Sequence, residues 1–215
     1  MDYTGAVKPH QPQTRELAHI SITKMSVGPM DNNAYLLECR RTGALLLIDA
    51  ANDAPQLKEL IGARPVATII TTHRHPDHWQ ALDELLTYTG ARSLAHSADA
   101  LAITPPPNTI EDNAQIALGD LTLRVIHLGG HTPGSIALHY QNQQDGSHLF
   151  TGDGLFPGGP GKTHNEADFH TLMTSLEQKI FARLPAHTVI YPGHGPDSTL
   201  TREQPALPQW RARGW

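Results

Sequence analysis

The sequence predicts an α+β fold arranged as two loosely similar halves. Continuous apolar runs of the kind that make buried strands recur along the chain. Amphipathic stripes at helical spacing separate some of them. Four of these strands each run into a short turn carrying His or Asp. Strand ends on a rigid sheet are where open α/β folds place their sites.

Residues 1–16 are polar, contain Pro9 and Pro12, and read as a loosely held arm. From Ile20 the alternation Ile20-Ser21-Ile22-Thr23 reads as a strand, and Asn33 to Cys39 as another after a turn at Gly28-Pro29-Met30-Asp31-Asn32. Ala44 to Asp49 is a buried strand. Residues 53–62 read as a helix with Leu57, Leu60 and Ile61 on one face. The strand Val66 to Ile70 delivers the chain into His73-Arg74-His75-Pro76-Asp77-His78. Trp79, Leu82, Leu85 and Leu86 then form a helical stripe ending at Gly90. In the second half, Leu121 to Ile126 leads to Gly129-Gly130-His131, and His148 to Phe150 leads to Thr151-Gly152-Asp153-Gly154. Ser135 to Tyr140 is a further strand, residues 166–183 a helix, and Thr188 to Tyr191 a strand that runs into Pro192-Gly193-His194-Gly195.

Composition narrows the function. At 39% hydrophobic and 17% charged, the 215 residues read as an ordinary soluble globular protein. A net charge of -5 gives no electrostatic case for nucleic acid or an anionic membrane, and no apolar run approaches a membrane span. The start lacks the basic and apolar regions of a secretory signal, and a lone Cys39 excludes an internal disulfide; both fit a cytoplasmic location. The unusual count is 14 histidines, several beside Asp and Gly in loops after apolar runs, which points to metal chemistry.

His73 and His75 lie two apart, so an extended stretch puts them on one face. Asp77 and His78 follow Pro76, where the chain can turn and aim elsewhere. One segment can thus serve two adjacent cations. His131 and His194 can complete the two sets, with Asp153 placed to bridge. Packing three His and one Asp in six residues without a cation would leave desolvated polar groups competing for partners. Isolated histidines such as His127 and His139 carry no such argument. Imidazole and carboxylate without thiolate suit zinc first, with iron or manganese as the other choices.

His-x-His-x-Asp-His after an apolar strand, Gly-His131-Thr132-Pro133-Gly134, Thr-Gly-Asp153 and Pro-Gly-His194, in this order, resemble the metallo-β-lactamase superfamily over about residues 18–197. Within it the chain most resembles glyoxalase II, the hydroxyacylglutathione hydrolases. The resemblance implies a four-layer αββα sandwich of two similar halves. It implies His73, His75 and His131 on one divalent ion, Asp77, His78 and His194 on a second, and Asp153 between them. It implies hydrolysis of a small-molecule thioester or ester, with Asp77 orienting the attacking water. A persulfide dioxygenase shares the scaffold but uses one iron on residues matching His73, His131 and Asp153; a lactonase would need the same nucleophile. Lys162 matches a lysine that holds a glutathione carboxylate in glyoxalase II, and His164 stands where an aromatic residue often follows.

Other features read as bystanders. Gly161-Lys162-Thr163 is no phosphate loop, because Phe156 stands where the first Gly is required. Asp49 is expected to support the ligands and not to be one. Asp31-Asn32-Asn33 reads as turn chemistry and Cys39 as core. Residues 198–215, with Trp210 and Trp215, read as a tail packed on the core, too short for the helical extension that follows the last His in glyoxalase II.

Overall fold

The computed structural model describes residues 3–214. The first sheet takes β1 (Gln13–Glu16), β2 (Ile20–Val27), β3 (Asn32–Cys39), β4 (Leu45–Ile48), β5 (Val66–Ile70), β6 (Arg92–His96) and β7 (Asn108–Ile110), neighbouring in that order. It is antiparallel up to β4 and parallel from β4 to β7. β8 (Gln115–Leu118), β9 (Leu121–His127), β10 (Ile136–Asn142) and β11 (Gly146–Gly152) follow as an antiparallel meander. β12 (Leu155–Phe156) and β13 (Gly159–Pro160) make a separate ribbon. β14 (Val189–Pro192) then joins β11 in parallel, and β15 (Ser198–Thr199) edges the second sheet.

The two sheets face each other. Ile20, Ile22, Leu37, Leu46 and Ile48 from the first meet Val125, Leu138, Tyr140, Phe150 and Tyr191 from the second. On the outer face of the first sheet, Leu45 and Leu47 pack under helices α1 (Ala54–Ile61) and α2 (Leu82–Thr89). β4 is therefore apolar at every position because both of its faces are covered, which explains the unbroken run Leu45 to Ile48. After the short α3 (Ser97–Ala100), α4 (Glu166–Ser175) covers the second sheet with Phe169, Leu172 and Met173. The result is the four-layer αββα sandwich.

Several boundaries differ from expectation. The helix over 166–183 starts at the Asn165 cap, whose side chain accepts from Asp168 N, but widens after Ser175 into a π turn over Leu176–Phe181. Trp79 lies outside α2. Pro76–His78 forms a single 3-10 turn, and the Trp79 indole donates to Arg74 O at 2.9 Å, tying the helix entry to the histidine cluster. The segment read as a loose arm supplies the edge strand β1, a pairing its short polar sequence did not signal. Tyr3 donates its hydroxyl to Asp197, and the fully buried Lys24 donates to Gly5 O and Asp197 Oδ1. The tail folds into α5 (Leu200–Glu203) and α6 (Leu207–Arg213), and Trp210 is buried against Phe181; Trp215 lies outside the described residues. Cys39 sits in the inter-sheet core. No described helix is long and apolar enough to cross a membrane.

Candidate metal centre

Both sheets deliver their loops to one edge of the sandwich. The loop after β5 carries His73, His75, Asp77 and His78; those after β9, β11 and β14 carry His131, Asp153 and His194. All seven sequence-predicted ligands meet there. His73, His75 and His131 form one triad and Asp77, His78 and His194 another. His73, His78 and Asp153 make a third group that straddles them, and in each group the ligand atoms lie within 4.8 Å of one another. Asp153 reaches both sides: Oδ1 is 3.4 Å from His78 Nε2, and Oδ2 is 3.6 Å from Nε2 of both His131 and His194.

The outer hydrogen bonds decide which ring nitrogens face inward. His131 Nδ1 donates to Lys162 O at 2.6 Å and His194 Nδ1 to Met30 O at 2.9 Å. His78 Nδ1 donates to Asp49 Oδ2 at 2.8 Å. The Thr72 hydroxyl gives its proton to Asp49 Oδ2, so at 3.1 Å it accepts from His73 Nδ1. Each of these rings thus turns an unprotonated Nε2 toward the centre when neutral. His73 Nε2 then stands 3.3 Å from His131 Nε2 and 3.1 Å from His75 Nδ1. Bare lone pairs at this spacing repel, yet about 3.4 Å is the edge of a tetrahedron with Zn–N bonds of about 2.0–2.1 Å.

A cation also fits two orphaned groups: His78 Nε2 and Asp153 Oδ1 are buried without a hydrogen-bond partner. Glycine is required alongside, since a Cβ on Gly193 would overlap Asp153 Oδ1 and stand 2.8 Å from His78 Cε1.

The two triads differ in their protons. Burial, reinforced by the neighbouring imidazoles, pushes His73 well down and His75 down. Burial also pushes His131 down, against the pull of Asp153. Burial opposes protonation of His78 too, but Asp49 and Asp153 outweigh it and lift the ring to about 10. The His194 ring is likewise raised, by Asp77 and Asp153 against burial. Asp77 is held well below the usual carboxylate range, first by its hydrogen bond with His194 and then by Asn32, against its burial. In the metal-free chain, the second triad therefore holds an extra proton more readily than the first. Loading the second triad should release protons, and its apparent affinity should fall about tenfold per proton displaced for each pH unit lowered. Loading the first should depend less on pH, because its rings are pushed down. Chelator-competition titrations at several pH values check this, and equal pH slopes would refute it.

Residues that sequence reasoning passed over hold the loops. Asn32, read as turn chemistry, donates Nδ2 to Asp77 Oδ2 at 2.8 Å. Asn33 donates to Pro192 O and Gly195 O, both at 2.9 Å. Only Asp31, with φ 53°, keeps the turn role. Asp49 fits its expected supporting role, also accepting from Thr72 N at 2.8 Å. Asp99 on α3 accepts from Arg74 N, the Thr132 hydroxyl and Gly134 N. No sequence signal marks Asp99, since Ser97-Ala98-Asp99 is an ordinary helix start. Lys162 presents its carbonyl to His131 and also lines, with Pro160, Phe169 and Arg213, a cavity of about 410 Å³ that none of the seven candidate ligands lines. The exposed His164 ring lies 6.4 Å from that of His75.

A metallo-beta-lactamase superfamily model matches residues 27–194. The chain belongs to the metallo-β-lactamase superfamily. Among its relatives in that superfamily, the hydroxyacylglutathione hydrolase of Fuscovulum blasticum is 38% identical over 167 residues, covering 76% of this chain and 62% of its own length. The chain thus spans about three fifths of the hydroxyacylglutathione hydrolase it matches there. The probable metallo-hydrolase YqgX of Bacillus subtilis is 30% identical over 211 residues, covering 86% of this chain and 95% of its own length. The solved di-iron-bound form of TTHA1623 superposes with a TM-score of 0.68 at 28% identity, covering 84% of this chain and 96% of that one.

Proposed function

We propose that this chain is a binuclear metal-dependent hydrolase that cleaves a small 2-hydroxyacyl thioester. The observation that carries the reading is the pair of complete ligand triads with the Asp153 carboxylate between them. His73, His75 and His131 would hold one divalent ion and Asp77, His78 and His194 the other. Zinc is the first candidate, although the similar TTHA1623 was solved with two irons. The complete second triad favours this reading over a one-iron persulfide dioxygenase.

Two such ions supply a lowered pKa for the attacking water and charge stabilisation for the developing oxyanion. The protein's own residues do the rest. Asn32 fixes the Asp77 carboxylate through Oδ2, holding it where it can accept a hydrogen bond from the water and orient it. The depressed Asp77 carboxyl stays ionised for that role. Asp49 and Met30 keep the Nδ1 protons of His78 and His194 on the outer side. A thiol leaving group, with a pKa of about 8.5, departs as thiolate without a strong general acid, whereas an amide nitrogen would need a proton donor. The hydroxyacylglutathione hydrolase relative supports a thioester.

The test is a substrate panel on protein of measured metal content: S-lactoyl thioesters of several thiols, a lactone, a β-lactam and a persulfide. Thioester turnover with two ions per chain is the expected result. Oxygen consumption on persulfide with one iron would overturn it.

A further inference from the structure

Resting on the reading of two ion sites, we propose that each triad is positioned by its own buried anchor. Asp99 sets the first triad and the Lys24–Asp197 pair sets the second, so the two sites can be weakened separately.

The first triad joins two loops whose members, His73 and His131, lie 58 residues apart. Asp99 is 1% exposed and touches neither histidine, yet it binds both loops at once. Its Oδ2 accepts from Arg74 N, between His73 and His75, at 2.9 Å, and from the hydroxyl of Thr132, next to His131. Its Oδ1 accepts from Gly134 N at 2.9 Å. The contact is close enough that a Cβ on Gly134 would stand 2.6 Å from Asp99 Cγ. A carboxylate only accepts, so two backbone N–H groups and a hydroxyl converging on it fix how far apart the loops sit.

The second triad needs the loop that carries His194. Lys24 is 0% exposed, and each of its three ammonium protons has an acceptor. These are Gly5 O at 2.8 Å, Gly195 O at 2.7 Å and Asp197 Oδ1 at 2.7 Å. Two of the three belong to the stretch just after His194, and the Tyr3 hydroxyl closes the far side of Asp197. The amino-terminal segment therefore acts as a strap on the His194 loop. Among the described residues, neither Lys24 nor Asp197 forms a hydrogen bond or ion pair with the 73–75 or 131–134 loops. Asp49 cannot give the same separation, because it supports His78 directly and His73 through Thr72.

Asp99→Asn turns a donor amide toward backbone N–H groups, and Lys24→Met removes the ammonium while keeping a long side chain. Cobalt(II)-loaded protein gives the readout, since imidazole N–H signals are shifted by the ion their ring binds. Asp99→Asn should weaken the first ion about 10–100-fold and lose the shifted His131 N–H, while those of His78 and His194 persist. Lys24→Met should do the reverse, losing His194 and keeping His131. Should either variant fail to fold, Thr132→Val and Tyr3→Phe remove one hydrogen bond each and should show the same split with smaller shifts. Both ions weakened alike by either variant, or both held with wild-type affinity, overturns the proposal. A wild-type chain that takes up fewer than two ions would instead remove the reading beneath it.

Discussion

Asp153→Ala is expected to lower kcat/KM about a thousandfold and to cut the metal content from two ions to at most one. The carboxylate is the one group within reach of His78, His131 and His194 together, at 3.4–3.6 Å. It would also be one of two aspartates to offset the charge of two dications held by neutral imidazoles. Removing one partner of a buried charge interaction costs about 3–5 kcal/mol, and each ~1.4 kcal/mol is a factor of ten in rate. Asp153→Asn keeps the volume and removes only the charge, so it separates electrostatics from packing. Steady-state thioester kinetics with elemental analysis of the same samples decides the matter. An Asn variant with undiminished turnover and two ions would contradict the assignment.

The second large effect concerns stability. Asp49→Ala should destabilise the metal-free chain by about 3–5 kcal/mol at neutral pH. His78 would lose the charge that offsets its burial, and Thr72 would lose acceptors for both its N–H and its hydroxyl. Asp49 also has φ 59°, a conformation Asn adopts more readily than Ala, so Asp49→Asn isolates the loss of charge from backbone strain. The pH sign follows from the raised His78 ring. Its contribution is complete below the unfolded value of about 6.5 and is lost as pH rises through about 10. The gap between wild type and variant should therefore narrow at alkaline pH. Urea unfolding of chelator-treated protein at two pH values tests both, and a loss below about 1 kcal/mol at pH 7 would be inconsistent with the buried pair.

What the sequence made legible has a common physical basis. Leu45 to Ile48 announces a strand covered on both sides because period-two alternation disappears when both faces are buried. The histidine cluster stands out because such groups are costly to bury together without a cation. Other features depend on pairings between distant segments. Asn32 looks like any turn residue until the fold brings Asp77, 45 residues later, within 2.8 Å. Asp99 and Lys24 serve loops that no local pattern connects to them. Trp79 continues a helical stripe on paper, but Pro76 opens a separate 3-10 turn, and the indole is drawn to Arg74 O. β1 has too little apolar alternation to declare itself.

The division of the seven candidate ligands between the halves has a mechanical consequence. Four come from the loop after β5 and three from the second sheet, so neither half alone completes a triad. Ions held there would rivet one sheet to the other at the open edge of the sandwich. A link between His73 and His131 spans 58 residues, and closing a covalent loop of that order is worth roughly 4 kcal/mol. Chelation should therefore do more than silence the site: it should let the halves breathe against each other, and proteases would find the seam between β7 and β8 first.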